Sequence, residues 1–322
     1  MPGELRTREL IDGVFIVTHT VDDHHDGCRA DNFLRDRYAH FSRNKLQGWI
    51  DEGRIVMDGK RLKASTTLRP GDALKVLTQQ TEEPPVTIKF GILFEDEHVL
   101  VVDKPGNLPV HPAGKFLFNT LLMQLRAQRG RPYHLIHRLD RETSGVVLLA
   151  KDPITAASLV RQFRERTTEK RYSAIVIGHP PEDKFTVDAD IGSANSFIRL
   201  KMQAYPKGTG KLEALTHFTV LKRADNGLAL VDCELKTGRQ HQIRVHLSYA
   251  GFPVIGDKLY GDDDNIFLDH INRRPMSEEV RLKLAIERHG LHSRSLKFFH
   301  ERANRWLEIE SPLPDDMKGL LS

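Results

Sequence analysis

The sequence predicts an α+β protein with a mixed, mainly antiparallel central sheet, flanking helices and a small separate α/β module. Apolar runs of strand length follow one another closely, and Asp225-Asn226-Gly227 between two of them is a strong hairpin signal. Helical patterns occur between the strands without the regular alternation of a doubly wound parallel fold. A polar segment at 79–85 has no hydrophobic period and separates a short patterned stretch from a longer one.

The composition is that of a globular protein, with 39% hydrophobic and 29% charged residues in 322. No run approaches the roughly 18 apolar residues that a membrane helix requires, and the N-terminus lacks the apolar stretch of a secretory signal. Two cysteines, Cys28 and Cys233, are too few for a disulfide framework. We therefore expect a cytoplasmic protein that binds no membrane.

Changes in pattern along the chain predict its division. The predicted parts are an N-terminal extension over 1–27, a compact module over 28–78, a linker over 79–88 and a large domain over 89–322. In the compact module we expect helices at 31–38 and 43–52, a hairpin around 58–59 and a last strand at 73–77. Ser42 is a good N-cap for the second helix.

Positive charge is concentrated in the compact module. Residues 28–76 carry 11 Lys and Arg against 6 Asp and Glu, although the whole chain has a net charge of only +4. A local basic excess is the electrostatic footprint of a protein that binds phosphate backbones, and a domain that merely happens to be basic is the alternative. By chemistry and position, the predicted phosphate contacts are Arg43, Lys45, Arg54, Lys60 and Arg61.

The large domain reads as strands with fewer helices. The predicted strands are 92–94, 99–102, 145–151, 171–177, 216–222 and 228–235. The predicted helices are 120–129, 152–169, with Asp152 as its cap, and 240–250, with Gly251 after its end.

The most informative stretch is a charged loop, 137–145, that leads into an apolar strand. Asp140 lies between Arg138 and Arg141, and nearby positive charge should keep its carboxyl group ionised. An ionised, positioned carboxylate can act as a nucleophile. The alternative is a capped surface turn with an ordinary ion pair.

The loop 137–145, which reads HRLDRETSG, resembles the catalytic motif of the RluA-type pseudouridine synthases. Other segments match motifs of the same family in the same order, namely 101–112, Lys170-Arg171-Tyr172 and 235–246. The module at 28–78 is similar to the αL RNA-binding module that a small-subunit ribosomal protein also carries. The resemblance covers nearly all of the chain, and it implies the fold, the activity on uridine in folded RNA and the absence of any cofactor or metal.

The resemblance also assigns roles. Asp140 matches the residue that attacks the uridine, Tyr172 the tyrosine that packs on the target base, and Arg244 the arginine that pairs with the catalytic Asp. A guanidinium group can clamp a carboxylate with two parallel hydrogen bonds, so we expect this arrangement between Arg244 and Asp140. His137, Arg138 and Arg141, beside Asp140, are expected to contact RNA.

Alternatives remain at this point. The basic module favours large-subunit ribosomal RNA as the target, whereas the stretch 111–116 resembles members that act on tRNA. A non-catalytic RNA-binding protein would keep the same scaffold. The 16 histidines and the His134-x-x-His137 spacing suggest a metallohydrolase as a further alternative. The sequence lacks, however, the glutamate of the HExxH motif. An aspartyl-phosphate phosphatase would place its Asp after a strand, not before one. We expect a monomer.

Overall fold

The structure is a computed structural model that describes residues 6–11, 14–38, 42–79, 83–114, 116–209, 211–261, 263–272 and 274–321. The chain forms two compact units. The N-terminal unit contains residues 1–85 and 111–129, and the larger unit contains residues 86–110 and 130–322. Parts of the predicted extension (1–5, 12 and 13), of the predicted linker (80–82) and of the 111–116 stretch (Lys115) lie outside the described residues.

The N-terminal unit packs helices against a five-stranded antiparallel sheet. The strands are β1 (Arg6–Ile11), β2 (Val14–Thr20), β3 (Ile55–Met57), β4 (Lys60–Arg61) and β5 (Ala73–Gln79), in the order β1-β2-β5-β3-β4. The helices are α1 (Ala30–Arg37), α2 (Arg43–Asp51) and α3 (Leu121–Arg129). The predicted cap of α2 is present, since the Ser42 hydroxyl accepts a hydrogen bond from the Lys45 amide at 3.3 Å.

The structure differs from the prediction of a separate extension over 1–27. Strand β2 pairs with β5 along its whole length, from Val14 opposite Gln79 to Thr20 opposite Ala73. Val17 on β2 is buried in the core of the unit. The segment therefore supplies two strands of the sheet, which its weak local pattern did not reveal because the pairing partner lies more than 50 residues away.

The segment 111–129 also belongs to the N-terminal unit, although we predicted it as part of the large domain. Phe118 and Met123 lie in the same hydrophobic core as Phe33. Glu83, predicted within a linker, is buried, and its carboxylate accepts hydrogen bonds from the backbone amides of residues 117–119 at 2.7–2.9 Å. These three hydrogen bonds join the segment around Glu83 to the segment 117–119 of the same unit. The stretch 79–88 is therefore not a simple linker.

The larger unit is built on an eleven-stranded sheet, as counted over its described residues. Its strands are β6 (Gly91–Glu95), β7 (Val99–Lys104), β8 (His134–Leu135), β9 (Ser144–Ala150), β10 (Glu169–Ile177), β11 (Lys184–Ser193), β12 (Met202–Pro206), β13 (Leu215–Arg223), β14 (Leu228–Leu235), β15 (Leu291–His300) and β16 (Arg305–Glu310). The order is β12-β11-β13-β14-β10-β15-β9-β7-β6, with β16 on β15 and β8 on β9. All of these pairings are antiparallel except that of β15 with β9, so the predicted fold class is confirmed.

The helices of the larger unit are α4 (Pro153–Glu165), α5 (Gln242–Tyr249), α6 (Asp264–Ile271), α7 (Glu278–Leu284) and α8 (Asp315–Lys318). Asp152 caps α4 as predicted, accepting from the amides of Ile154 and Thr155 at 3.0 and 2.8 Å. The helix ends four residues before the predicted end because Arg166 adopts a left-handed conformation with φ 60°. In the described part of the chain, no helix is long and apolar enough to cross a membrane.

The parallel contact between β9 and β15 brings the start of β9 against the strand next to β10. Gly145 lies opposite Ser293 with φ 108°, and a Cβ atom there would be 2.2 Å from the Ser293 carbonyl oxygen. Only glycine allows this approach of the two backbones. Because β15 also pairs with β10 at Tyr172, the loop before β9 and the tyrosine come to the same region of the sheet.

Candidate active site

The loop that carries Asp140 joins β8 to β9, and a buried lysine, Lys104, binds the backbone of this loop. The Lys104 ammonium group donates to the carbonyl oxygens of Pro105, Leu108 and Arg141 at 2.9, 2.9 and 3.1 Å. Burial lowers the pKa of Lys104 to about 7, whereas three carbonyl acceptors match the three donors of the charged form. The lysine thereby ties the backbone directly after Asp140 to the segment 105–108.

Asp140 points one carboxylate oxygen at Arg244. Its Oδ2 accepts from Arg244 Nη1 at 2.9 Å, and its Oδ1 lies 3.7 Å from His241 Nε2. Burial alone would raise the pKa of this carboxyl group, but the charges of His241, Arg244 and His289 outweigh burial and hold the pKa below its usual value. Burial also lowers the pKa of both histidines, so Arg244 is the partner that stays charged at neutral pH.

The predicted two-bond clamp of Arg244 on Asp140 is wrong. Arg244 donates from Nε and Nη2 to the two oxygens of Asp257, at 2.6 and 2.8 Å, and offers only Nη1 to Asp140. The Asp257 side chain is fully buried and Arg244 is 8% exposed. The edge of the guanidinium group formed by Nε and Nη2 therefore faces Asp257, and Nη1 faces Asp140.

A tyrosine and a histidine complete the surroundings of Arg244. The Arg244 guanidinium carbon lies 4.9 Å from the centre of the Tyr260 ring. The Tyr260 hydroxyl accepts from the Met202 amide at 3.0 Å and is hydrogen-bonded to His241 Nδ1 at 2.8 Å. His241 precedes α5 in a left-handed conformation with φ 57°, which turns its ring towards Asp140.

Tyr172 lies on β10, opposite Ser293 of β15 and Cys233 of β14, and is 9% exposed. Burial raises the pKa of its phenol to about 12, hydrogen bonding with Ser293 opposes this, and the charge of Asp140 adds to it. The phenol is consequently neutral at neutral pH. Tyr172 and Gly145, which ends the Asp140 loop, both lie opposite Ser293.

A second buried carboxylate lies two residues beyond Asp140. Glu142 accepts from the Lys258 ammonium group at 3.1 Å and from the His289 amide at 3.1 Å. Burial would raise the pKa of Glu142, but His270, Lys258 and His289 bring it well below its usual value. Arg141, predicted to contact RNA, is hydrogen-bonded to Glu142 and His270. These bonds tie the end of the loop to the body of the unit.

A cavity of about 990 Å³ adjoins this network and is lined in part by Lys104, Glu142, Lys258 and Arg288. Two of the cations that line it have internal partners, since Arg288 is bound to both oxygens of Asp316 and Lys258 is bound to Glu142. Asp140 does not line this cavity. The cavity is therefore separate from the carboxylate of Asp140.

The structure places His137 in a supporting position. Its ring stacks on Phe163 with centroids 4.9 Å apart, and its Nε2 accepts a hydrogen bond from the Leu148 amide at 3.1 Å. Burial lowers its pKa to about 3, so the ring is a neutral acceptor. Arg138, by contrast, is exposed on the loop. The predicted contacts of His137 and Arg138 with RNA stay predictions.

The five predicted phosphate contacts all belong to the N-terminal unit. Arg43, Lys45, Lys60 and Arg61 are exposed there. Arg54 is half-buried, stacking on Trp49 with its guanidinium carbon 5.1 Å from the ring centre and donating from Nε to the Leu77 carbonyl oxygen. By contrast, Asp140, Tyr172 and Arg244 come together in the larger unit. Arg244 binds Asp140, and Tyr172 lies opposite the same β15 residue as Gly145 at the end of the Asp140 loop.

Asp257, His241 and Tyr260 were not predicted as site residues. The sequence carries one signal for the first and the last, since both lie in a short segment that begins with Gly256 and ends with Gly261. An Asp directly after a glycine with φ 72° turns its side chain back onto the amides of Leu259 and Tyr260, at 2.9 and 3.0 Å. His241 lies within the matched segment 235–246, where no charge pattern singles it out.

The arrangement has the features of a nucleophilic centre. It contains a carboxylate with a lowered pKa, a fixed cation on one of its oxygens and a neutral tyrosine nearby. Among the residues that the structure describes, no group of three His, Cys, Asp or Glu side chains is placed to hold a metal ion.

Comparisons with known proteins agree with this reading of the chain. Residues 98–249 match the family described as RNA pseudouridylate synthase, and residues 28–74 match the S4 domain. An uncharacterized RNA pseudouridine synthase of Bacillus subtilis is 35% identical over 94% of this chain and 96% of its own length. Ribosomal large subunit pseudouridine synthase D of Xanthomonas campestris is 35% identical over 94% and 90%.

One solved structure, human RNA pseudouridylate synthase domain containing 1, is similar with a TM-score of 0.56 and 28% identity. The match covers 71% of this chain and 86% of the human chain.

Proposed function

The chain belongs to the RNA pseudouridine synthase family, and on that premise we propose that it converts specific uridines of large-subunit ribosomal RNA to pseudouridine, with Asp140 as the nucleophile. The observation that supports this most is the geometry of Asp140. Its carboxylate is ionised, one oxygen is bound to Arg244, and the other has no hydrogen-bond donor within reach in the described part of the chain.

The reaction is an isomerisation. The bond between the ribose and the ring nitrogen breaks, a bond from the ribose to a ring carbon forms, that carbon loses its proton and the nitrogen gains one. No electron or group is added, so the residues must supply only a nucleophile, a place for the base and a route for the proton.

We assign the first two of these tasks to three side chains. Asp140 attacks the uridine, which must leave its stack in the folded RNA to reach a carboxylate held inside the protein. Tyr172 packs on the extruded base with its flat ring and stays a neutral phenol at neutral pH. Arg244 keeps Asp140 ionised and oriented.

The choice of RNA rests on the relatives and on the S4 match. The Xanthomonas relative is named as a large-subunit ribosomal enzyme, and the N-terminal unit contains the segment that matches the S4 domain. We propose that Arg43, Lys45, Arg54, Lys60 and Arg61 contact the phosphate backbone there, while His137, Arg138 and Arg141 contribute near Asp140. We further propose that the protein works in the cytoplasm as a monomer and without a cofactor.

The experiment is tritium release from unmodified transcripts labelled at the uracil carbon that becomes glycosidic, with large-subunit ribosomal RNA and tRNA compared. We expect release from the ribosomal RNA. Release from tRNA alone would replace the proposed target, and binding of both RNAs without release from either would favour a non-catalytic RNA-binding protein.

A further inference from the structure

Arg244 is shared unequally between two carboxylates, with two hydrogen bonds to Asp257 and one to Asp140. We propose that Asp257 is a positioning residue for the reaction of Asp140, an inference that rests on the proposed function. By holding Nε and Nη2 of Arg244, it fixes the direction of the guanidinium group so that only Nη1 bonds to Asp140, and Oδ1 of Asp140 is left available for attack.

Asp257 is built as a fixed point. Its side chain is fully buried, and besides Arg244 it binds the amides of Leu259 and Tyr260 through Oδ1. The preceding Gly256 has φ 72°, and a Cβ atom there would lie 2.3 Å from the Arg288 carbonyl oxygen, so the backbone is closely confined as well. A carboxylate with four donors cannot turn without leaving several of them unpaired.

Because the guanidinium group is planar and rigid, fixing its bonds to Asp257 also fixes which N–H group faces Asp140. Arginine binds a carboxylate best through two parallel N–H groups, and Asp257 occupies the pair formed by Nε and Nη2. Tyr260 lies against the guanidinium group at 4.9 Å from its carbon, which further defines its plane. With Asp257 removed, the paired edge would be free to turn to Asp140 and cover both of its oxygens.

The charges of Asp257, Arg244 and Asp140 are consistent with this arrangement. Asp257 has a pKa of about 2 and neutralises Arg244, so the net negative charge of the trio resides on Asp140. The neighbouring groups are neutral at neutral pH, because burial lowers the pKa of the histidines and raises that of the tyrosines. These groups are His241, His289, Tyr172 and Tyr260. Asp140 therefore carries the unbalanced negative charge of this group of residues.

The test is a double-mutant cycle between Asp257→Asn and Arg244→Met, with single-turnover tritium release at saturating RNA as the readout. Asparagine retains an oxygen for the two amides and for Nη2, but it removes the negative charge and turns an NH2 group towards Nε, so the two-bond ion pair is lost. We expect the rate to fall by about 100-fold, the effect of misplacing a reacting group by about 1 Å, while the dissociation constant for RNA stays unchanged. Because Asp257 acts through Arg244, the double variant should be no slower than Arg244→Met alone.

Asp232→Asn is the matched control. Asp232 is also buried and bound by two arginines, Arg171 at 2.7 Å and Arg294 at 2.9 Å, but it does not touch Arg244. This variant should lose stability and keep the wild-type rate. Equal rates for Asp257→Asn and wild type, or losses that add in the double variant, would overturn the inference alone. A wild-type protein without tritium release would overturn the proposed function and the inference with it.

A measurement on the unchanged protein covers the case in which Asp257→Asn does not fold. In protein labelled with ¹⁵N-arginine, the Nε–H of Arg244 should exchange slowly with solvent, because it is buried and bound to Asp257 at 2.6 Å. The signal is identified by its loss in Arg244→Lys. Rapid exchange of this proton in the folded wild type would contradict a fixed Asp257–Arg244 pair.

Discussion

Replacing Gly145 with alanine should separate the strand that follows Asp140 from the strand that faces Tyr172. Gly145 has φ 108°, and the new Cβ atom would lie 2.2 Å from the carbonyl oxygen of Ser293. An ordinary contact begins at 3.4 Å, so the backbones must move apart by about 1 Å. Since Ser293 is the β15 partner of Tyr172, the shift changes the distance between Tyr172 and the Asp140 loop.

The expected loss of stability has two parts. An alanine with this φ costs about 1–3 kcal/mol, and overpacking against the Ser293 backbone costs about 1–3 kcal/mol more. The sum of about 4 kcal/mol is below the stability of about 5–15 kcal/mol that is typical of a folded domain. The variant should therefore fold, and its single-turnover rate should fall by about 100-fold because the reacting groups are displaced by about 1 Å.

Gly227→Ala provides the control. Gly227 has φ 82°, but no heavy atom lies within 4 Å of the position of its Cβ. It should cost about 1–2 kcal/mol through φ alone and leave the rate unchanged. The assay is urea unfolding combined with single-turnover tritium release. If Gly145→Ala matches Gly227→Ala in both stability and rate, the close contact of β9 and β15 does not position the site and our reasoning is refuted.

Other changes test other parts of the account. Lys104→Met should lower the free energy of unfolding by about 3 kcal/mol or more in urea titrations, because three buried carbonyl oxygens lose their donor at about 1–3 kcal/mol each; a loss below about 1 kcal/mol would contradict this. Lys60→Gln should reduce the salt slope of RNA binding by about 0.7–0.9, whereas Lys318→Gln in the larger unit should not; identical slopes would exclude Lys60 as a phosphate contact. In Lys104→Met, which removes the group with a pKa of about 7 beside the loop, the single-turnover rate should be independent of pH from about 5 to about 9, falling only as the pH drops through the lowered pKa of Asp140 or rises towards the pKa of Tyr172 at about 12; a midpoint inside that window in this variant would contradict an ionised Asp140 and a neutral Tyr172.

Local signals carried much of the fold prediction. The caps at Ser42 and Asp152 and the turn at Asn226-Gly227 depend on residues near each other in sequence, and the structure has all three. The ordered motifs likewise brought Asp140, Tyr172 and Arg244 to the larger unit. Each of these features is encoded within about ten residues.

Long-range pairing explains what the sequence did not reveal. Strands β1 and β2 join the sheet of the N-terminal unit only because β5 offers a partner. Helix α3 belongs to that unit because Phe118 and Met123 complete its core. The same limit applies to the site, since a guanidinium group has two edges and the sequence does not specify which carboxylate each edge will meet. Deletion of residues 1–78 would also expose Phe118, which packs in the core formed with them. Point substitutions are therefore the better test of the N-terminal unit.

Tritium release by Asp140→Asn, measured beside its RNA affinity, tests the central claim most directly. Asparagine preserves the shape of the side chain and removes the charge that Arg244 holds at 2.9 Å. The account predicts that wild type releases tritium, that Asp140→Asn releases none, and that both bind the RNA equally well. Release by Asp140→Asn at the wild-type rate would show that Asp140 is not the nucleophile.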